Sequence, residues 1–201
     1  MMKKSAFRIN FSMVVPIALL VVTVTVFAAV MAGTNGSAHG FRETGPGGPP
    51  DTVTDEDGNK YKAPDFTVID ESGNAVKLSE LSGNGKGIVL NFWASWCAPC
   101  KNELPDLQMC YEKYGEKVEF ALVNLTSTPK ESVEKAKGYL SQKGYTVPCY
   151  FDVEGSAMEA YGIDSVPLTL FIDADGKIVA YYDRRINYDT LEKGVEMLIR
   201  E

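Results

Sequence analysis

The sequence predicts an α/β sandwich built around a mixed central sheet. Between residues 88 and 161, short apolar runs of strand length alternate with amphipathic stretches, which is typical of strand–helix–strand units with parallel strands. Beyond residue 168, two apolar runs flank the turn 173–176 and a helical pattern follows. This second pattern indicates an antiparallel hairpin followed by a helix, so parallel and antiparallel pairs share one sheet.

The individual elements follow from the spacing of apolar residues and from the turn residues between them. The run 88–92 is continuously apolar except for one asparagine, as in a strand that is buried on both faces. The helix after it ends before Gly115 and is expected to kink at Pro105. The predicted strands are 66–69, 88–92, 118–123, 147–151, 168–172 and 178–182, and the predicted helices are 97–114, 129–143, 156–161 and 188–200.

The composition fits one ordinary globular domain with an appendage. Of the 201 residues, 45% are apolar and 23% are charged. The formal net charge is -7, with 20 basic against 27 acidic residues, and no basic cluster interrupts the folded part. This balance argues against a nucleic-acid partner and against binding of the domain to anionic lipid.

Residues 1–32 have the pattern of a membrane anchor or of a secretory signal. Three basic residues precede a charge-free run at 11–32, and the stretch 14–32 approaches the ~20 residues that a spanning helix needs. The small residues at 30–33 also fit a signal-peptidase site, which leaves cleavage open. The basic flank predicts a cytoplasmic N-terminus, so the rest of the chain is expected at the surface or in the periplasm of a bacterium.

Residues 33–60 are rich in Gly, Pro, Ser, Thr and acidic residues, and they are too poor in apolar residues to fold. We expect a disordered linker that either tethers the domain to the membrane or has no role of its own. The folded domain is predicted to span 61–201.

The chemistry is concentrated in Cys97-Ala98-Pro99-Cys100, where the buried strand ends and the helix begins. A cysteine at a helix N-terminus faces unpaired backbone N–H groups and the positive end of the helix dipole, which favour the thiolate. Cys97 is therefore the predicted nucleophile, and Cys100, one turn into the helix, is the predicted resolving thiol. Such a pair also occurs in zinc sites, haem attachment sites and structural disulfides. Lys101 in place of histidine argues against haem, and so short a loop stabilises a fold only weakly.

The segment 91–105, with the sequence NFWASWCAPCKNELP, resembles the active-site segment of the TlpA/ResA-like branch of the thioredoxin superfamily. Segments 63–66, 78–81 and 162–173 match that family in the same order, so the resemblance covers essentially the whole domain. It implies a thioredoxin-like three-layer sandwich with an inserted strand–helix element, which we place within 129–151. It also implies a membrane-anchored, outward-facing protein.

By the same resemblance, Pro167 is expected to be the family's cis-proline, lying against the cysteine pair. Only about 5 to 6% of X–Pro bonds in folded proteins are cis, so an ordinary trans proline is the alternative. Trp96 and Val166 are expected to line the substrate groove. Trp93 either covers the disulfide or only packs in the core.

Glu103 is the most informative polar residue. It lies three residues after Cys100, one helical turn on and on the same face, within reach for proton exchange. Thioredoxins carry an aspartate on the strand, at the position that Asn91 occupies in this sequence. We therefore expect Glu103 to exchange protons with Cys100 and to be partly buried with a raised pKa. The alternative is a solvated carboxylate on the helix surface.

Two further cysteines lie outside this motif. Cys110 is ten residues beyond Cys100 on the same helix, roughly 15 Å away, which excludes it as a resolving thiol and argues against a zinc site made of all four cysteines. Cys110 and Cys149 either form a structural disulfide or remain buried free thiols.

The residues and the resemblance predict an extracytoplasmic dithiol–disulfide oxidoreductase that reduces disulfides of client proteins, such as apocytochrome c or a methionine sulfoxide reductase. The resemblance also implies a membrane thiol-electron donor of the CcdA/DsbD type, and we expect no cofactor and no metal. Two alternatives remain. One is a thiol peroxidase, a class that typically carries a lone peroxidatic cysteine. The other is a thioredoxin-fold binding module whose groove presents a partner.

Overall fold

A sheet of seven strands forms the centre of the computed structural model, which describes residues 58–82 and 85–199. The strands are β1 (Thr67–Ile69), β2 (Ala75–Lys77), β3 (Ile88–Trp93), β4 (Glu119–Asn124), β5 (Cys149–Phe151), β6 (Leu168–Ile172) and β7 (Ile178–Tyr182). Their order is β2-β1-β5-β4-β3-β6-β7. The pairs β3–β4 and β4–β5 are parallel, whereas all the other pairs are antiparallel. The predicted mixed sheet is confirmed.

Helices cover both faces of this sheet. They are α1 (Leu78–Leu81), α2 (Ala98–Tyr114), α3 (Val133–Lys143), α4 (Ser156–Ala160) and α5 (Tyr188–Ile199). One core contains the buried residues of α2, α3 and α5, and the other contains those of α1 and α4. Alternate residues of β3 point into the two cores, Val89 into the first and Leu90 into the second, as the two-residue period of a strand requires. The three-layer sandwich is therefore confirmed.

Strand β3 is the central support of the candidate site. All six of its residues are buried, and it pairs with β4 on one side and with β6 on the other. Its carboxyl end leads directly into α2, which begins at Ala98 and ends at Tyr114 before Gly115. The helix continues through Pro105. The predicted ends of this helix are thus confirmed.

Other boundaries differ from the prediction. The helix that we expected from residue 129 begins at Val133, because the Ser132 side chain caps it by accepting a hydrogen bond from the Lys135 backbone N–H. Strand β2 and helix α1 were not among the predicted elements. Strand β2 has only three residues and is defined by its pairing with β1, so it carries no pattern of its own. Helix α3 and strand β5 lie within the segment 129–151, where we placed the insertion.

The predicted anchor, residues 1–32, and residues 33–57 of the predicted linker lie outside the described residues. Within the two described ranges, the longest and most apolar helices still fall short of what crossing a membrane requires.

Candidate functional site

Cys97 and Cys100 form a disulfide at the start of α2. Cys97 is the residue that caps the helix, and its Sγ accepts a hydrogen bond from the Cys100 backbone N–H at 3.1 Å. Both residues are almost fully buried, Cys97 at 4% and Cys100 at 2% exposure. The sulfur that we predicted to be the nucleophile is therefore the one held at the positive end of the helix dipole.

The segment that contains Val166 and Pro167 lies beside this pair. The Val166–Pro167 bond is cis, and the Val166 carbonyl oxygen lies 3.5 Å from Cys97 Sγ. Pro167 is buried and Val166 is half-buried. The cis isomer is thereby confirmed, and the segment places a backbone acceptor beside the predicted nucleophile.

The two tryptophans before the motif have different environments. Trp93, the last residue of β3, is fully buried in the core and stacks at a tilt against Tyr139 of α3, with ring centroids 6.1 Å apart. Trp96, directly before Cys97, is 47% exposed. Trp96 is thus the aromatic side chain available to an incoming molecule, whereas Trp93 packs.

Glu103 is fully buried on the first turns of α2. Its Oε1 accepts hydrogen bonds from the Thr169 hydroxyl at 2.8 Å and from the Asn91 side-chain amide at 3.3 Å. The Asn91 amide also donates to the Thr169 hydroxyl oxygen at 2.8 Å. Three polar side chains, one each from α2, β3 and β6, therefore form a closed and buried triangle of hydrogen bonds.

Burial raises the pKa of Glu103 to about 7, well above its usual value of 4.5. The Thr169 hydrogen bond and the Ile186 backbone N–H act in the opposite direction, because they favour the ionised form. The expectation of a buried carboxyl with a raised pKa is confirmed, and its burial is more complete than we expected. A carboxyl with a pKa close to neutrality can both accept and release a proton under physiological conditions.

A second buried carboxylate, Glu131, lies near the motif and was missed by the sequence analysis. Its carboxylate accepts hydrogen bonds from the backbone N–H of Ser95 and, at 2.9 Å, from the Ser95 hydroxyl. The Asn124 amide donates to it at 3.4 Å. Glu131 therefore fixes the loop that carries Trp96 into the motif. No local pattern signals this contact, because it joins residues 36 positions apart.

Cys110 and Cys149 are free thiols, and both are buried. Burial raises the pKa of Cys110 to about 12 and that of Cys149 further still. They are therefore poor nucleophiles in the folded protein. In the described part of the chain, no three His, Cys, Asp or Glu side chains are grouped so that they could hold a metal ion.

Two cavities lie elsewhere on the domain. One, of about 510 Å³, is lined by residues of the β1–β2 turn and of the segment before β5, and the other, of about 270 Å³, lies beside Asp65 and Ser79. Neither is lined by a cysteine of the redox pair. The pair is thus not part of either small-molecule-sized cavity.

Residues 60–181 match the model of the AhpC/TSA family. The thiol-disulfide oxidoreductase ResA of Geobacillus thermodenitrificans is 39% identical over 119 residues, which are 58% of this chain and 64% of that protein, so less than two thirds of that relative is spanned. ResA of Geobacillus kaustophilus is 34% identical over 139 residues, 68% of this chain and 75% of that protein. The crystal structure of the exposed lipoprotein thioredoxin from Streptococcus pneumoniae is similar, with a TM-score of 0.58, 29% identity and coverage of 67% of this chain and 99% of that chain.

Proposed function

Because the chain belongs to the AhpC/TSA family and has thiol-disulfide oxidoreductases among its relatives, we propose that it is an extracytoplasmic dithiol–disulfide oxidoreductase that reduces client proteins. One observation carries this proposal. Cys97 caps helix α2 and is bonded to Cys100, while a carboxyl with a pKa of about 7 is buried on the same helix. These three side chains supply the nucleophile, the resolving thiol and the proton acceptor that the proposal requires.

In the reduced enzyme, the Cys97 thiolate is stabilised by the N-terminus of α2. It attacks one sulfur of a client disulfide, the client S–S bond breaks, and the other client sulfur leaves as a thiolate. The product is a mixed disulfide between the client and Cys97. Trp96, half exposed beside Cys97, and the Val166 backbone are the proposed contacts with the client chain.

Cys100 then resolves the mixed disulfide. Its thiol gives a proton to the Glu103 carboxylate, and the resulting thiolate attacks Cys97 Sγ, which forms the Cys97–Cys100 disulfide and releases the second client thiolate. The client gains two electrons and, from Glu103 and water, two protons. A membrane thiol-electron donor of the CcdA/DsbD type would return the enzyme to the dithiol.

The exposure of Trp96 supports a protein as the client, because this aromatic side chain directly before Cys97 is available for contact with a client chain. The domain could keep apocytochrome c cysteines reduced or recharge a methionine sulfoxide reductase, the two clients that the TlpA/ResA resemblance suggests. The anchor pattern at 1–32 and the similarity to an exposed lipoprotein thioredoxin support a site outside the cytoplasm.

A thiol peroxidase is the alternative enzyme that the sequence leaves open. The bond from Cys97 to a cysteine only three residues away favours disulfide exchange instead. A binding module without redox chemistry is disfavoured by the same pair and by the buried proton acceptor.

Reduction of insulin disulfides by the purified full-length protein in detergent tests the proposal. Dithiothreitol is supplied, and the Cys97→Ser variant is the matched control. We expect precipitation of the insulin B chain to be accelerated by the wild type and not by the variant. Equal rates for the two proteins would refute the proposal, and rapid consumption of hydrogen peroxide without insulin reduction would favour the peroxidase.

A further inference from the structure

The loop between β7 and α5, residues 183–187, covers the turn of α2 that carries Glu103. Ile186 of this loop is buried at 5% exposure in the same core as α2, and its backbone N–H favours the ionised Glu103 carboxyl. The second carboxylate oxygen, Glu103 Oε2, is buried and makes no hydrogen bond within the described residues. The charge state of Glu103 therefore depends on the groups that this loop and α2 place near it.

Arg185, the residue before Ile186, spans the turn of α2 that contains Glu103. Its Nε donates to the carbonyl oxygen of Asn102 at 3.4 Å, one residue before Glu103. Its Nη2 pairs with the Asp106 carboxylate at 3.2 Å, three residues after Glu103. The Arg185 side chain is 45% exposed and that of Asp106 is 22% exposed, so the ion pair lies near the protein surface, whereas Glu103 on the same turn is buried.

These two charges oppose each other at Glu103. The Arg185 guanidinium favours the carboxylate, and the Asp106 carboxylate disfavours it. Strands β3 and β6 contribute only neutral side chains to the contacts of Glu103, Asn91 from β3 and Thr169 from β6. As long as the pair is intact, its two charges act on Glu103 in opposite directions, and burial, opposed by the Thr169 hydrogen bond and the Ile186 backbone N–H, is the largest influence on its proton affinity. An exposed pair of this kind adds little to stability, so its position calls for another explanation.

We propose that Arg185 is a positioning residue for proton transfer at Glu103: it neutralises the Asp106 charge beside the buried carboxyl and so keeps that carboxyl able to exchange a proton near neutral pH. The inference rests on the proposed redox function only for its biological purpose.

Carbon-13 NMR titration of the Glu103 carboxyl in the oxidised, full-length protein tests the inference. The resonance is assigned from its loss in Glu103→Gln. Arg185→Gln leaves Asp106 unpaired and is expected to raise the titration midpoint by about 0.5 to 1 pH unit, less than the ~1 to 3 units typical of a charge at 4–6 Å, because Arg185 is half exposed. Asp106→Asn is expected to lower the midpoint by a similar amount.

Two further variants separate charge from structure. The double variant Arg185→Gln/Asp106→Asn removes both charges and is expected to return the midpoint close to that of the wild type, as is Arg185→Lys, which keeps the cation. Midpoints that do not move, or that move downward in both single variants, would overturn the inference. Because the titration needs no client, it can fail while insulin reduction persists, and it can succeed in a protein that reduces nothing.

Discussion

Replacement of Glu103 by glutamine is expected to change how the stability of the oxidised protein depends on pH. The side chain is fully buried, and its pKa is raised from 4.5 to about 7. Between these two values the folded protein binds more protons at this site than the unfolded chain does. The stability that the protonated carboxyl provides is therefore fully present below pH 4.5 and is lost as the pH rises through about 7.

The size of the expected change in stability follows from the raised pKa of Glu103. A difference of about 2.5 between the folded and unfolded pKa values, at ~1.4 kcal/mol per unit, corresponds to about 3 kcal/mol. Glutamine has a similar shape and does not titrate, so Glu103→Gln should be spared this loss. Relative to the wild type, we expect the free energy of unfolding of the variant to increase by about 3 kcal/mol between pH 4 and pH 8.5.

Urea unfolding of the two oxidised proteins, followed by tryptophan fluorescence at several pH values, measures this difference. All other titrating groups are shared and cancel in the comparison. Glu116→Gln is the matched control, because it removes an exposed carboxyl just beyond the same helix. A difference between Glu103→Gln and the wild type that does not change with pH would show that the Glu103 carboxyl is solvated, and the proton-transfer role would lose its basis.

Two other predictions test the redox step and the packing beneath it. Cys100→Ser lacks the resolving thiol, so a mixed disulfide with a client should accumulate at Cys97 and be visible on a non-reducing gel, whereas Cys97→Ser should form none; equal trapping would contradict the assigned roles. Gly194→Ala places a methyl group about 2.2 Å from the Phe171 ring and should cost about 1–3 kcal/mol in urea unfolding. In Gly138→Ala the added methyl group points into open space within α3, and the folded protein should be stabilised by ~0.5–1 kcal/mol. Similar effects of the two substitutions on the free energy of unfolding would contradict the packing of Gly194 against Phe171.

The parts of the site that the sequence predicts are those carried by one short segment. Cys97, Cys100 and Glu103 lie within seven residues, and a buried strand followed by a helix is enough to place them on one helix N-terminus. Pro167 was predictable only through the family resemblance, because no property of its own residues favours the cis bond. Its position beside Cys97 depends on the pairing of β6 with β3.

The contacts that set the properties of these residues could not be predicted. Thr169 meets Glu103 across 66 residues, Glu131 meets Ser95 across 36, and Arg185 meets Asp106 across 79. Each partner is a common polar residue, and only the packed sheet and its loops bring the pairs together. Strand β2 was not predicted for a related reason, since its three residues are defined by pairing rather than by pattern.

The reduction potential of the Cys97–Cys100 disulfide tests the proposed direction of electron flow most directly. The full-length protein would be equilibrated with dithiothreitol buffers of graded ratio, and the fraction of free thiol at the pair would be read by mass-resolved labelling, with Cys97→Ser as the blank. A client reductase should have a potential close to that of thioredoxin, about -270 mV. A value near about -120 mV, typical of an enzyme that installs disulfides, would contradict the proposal.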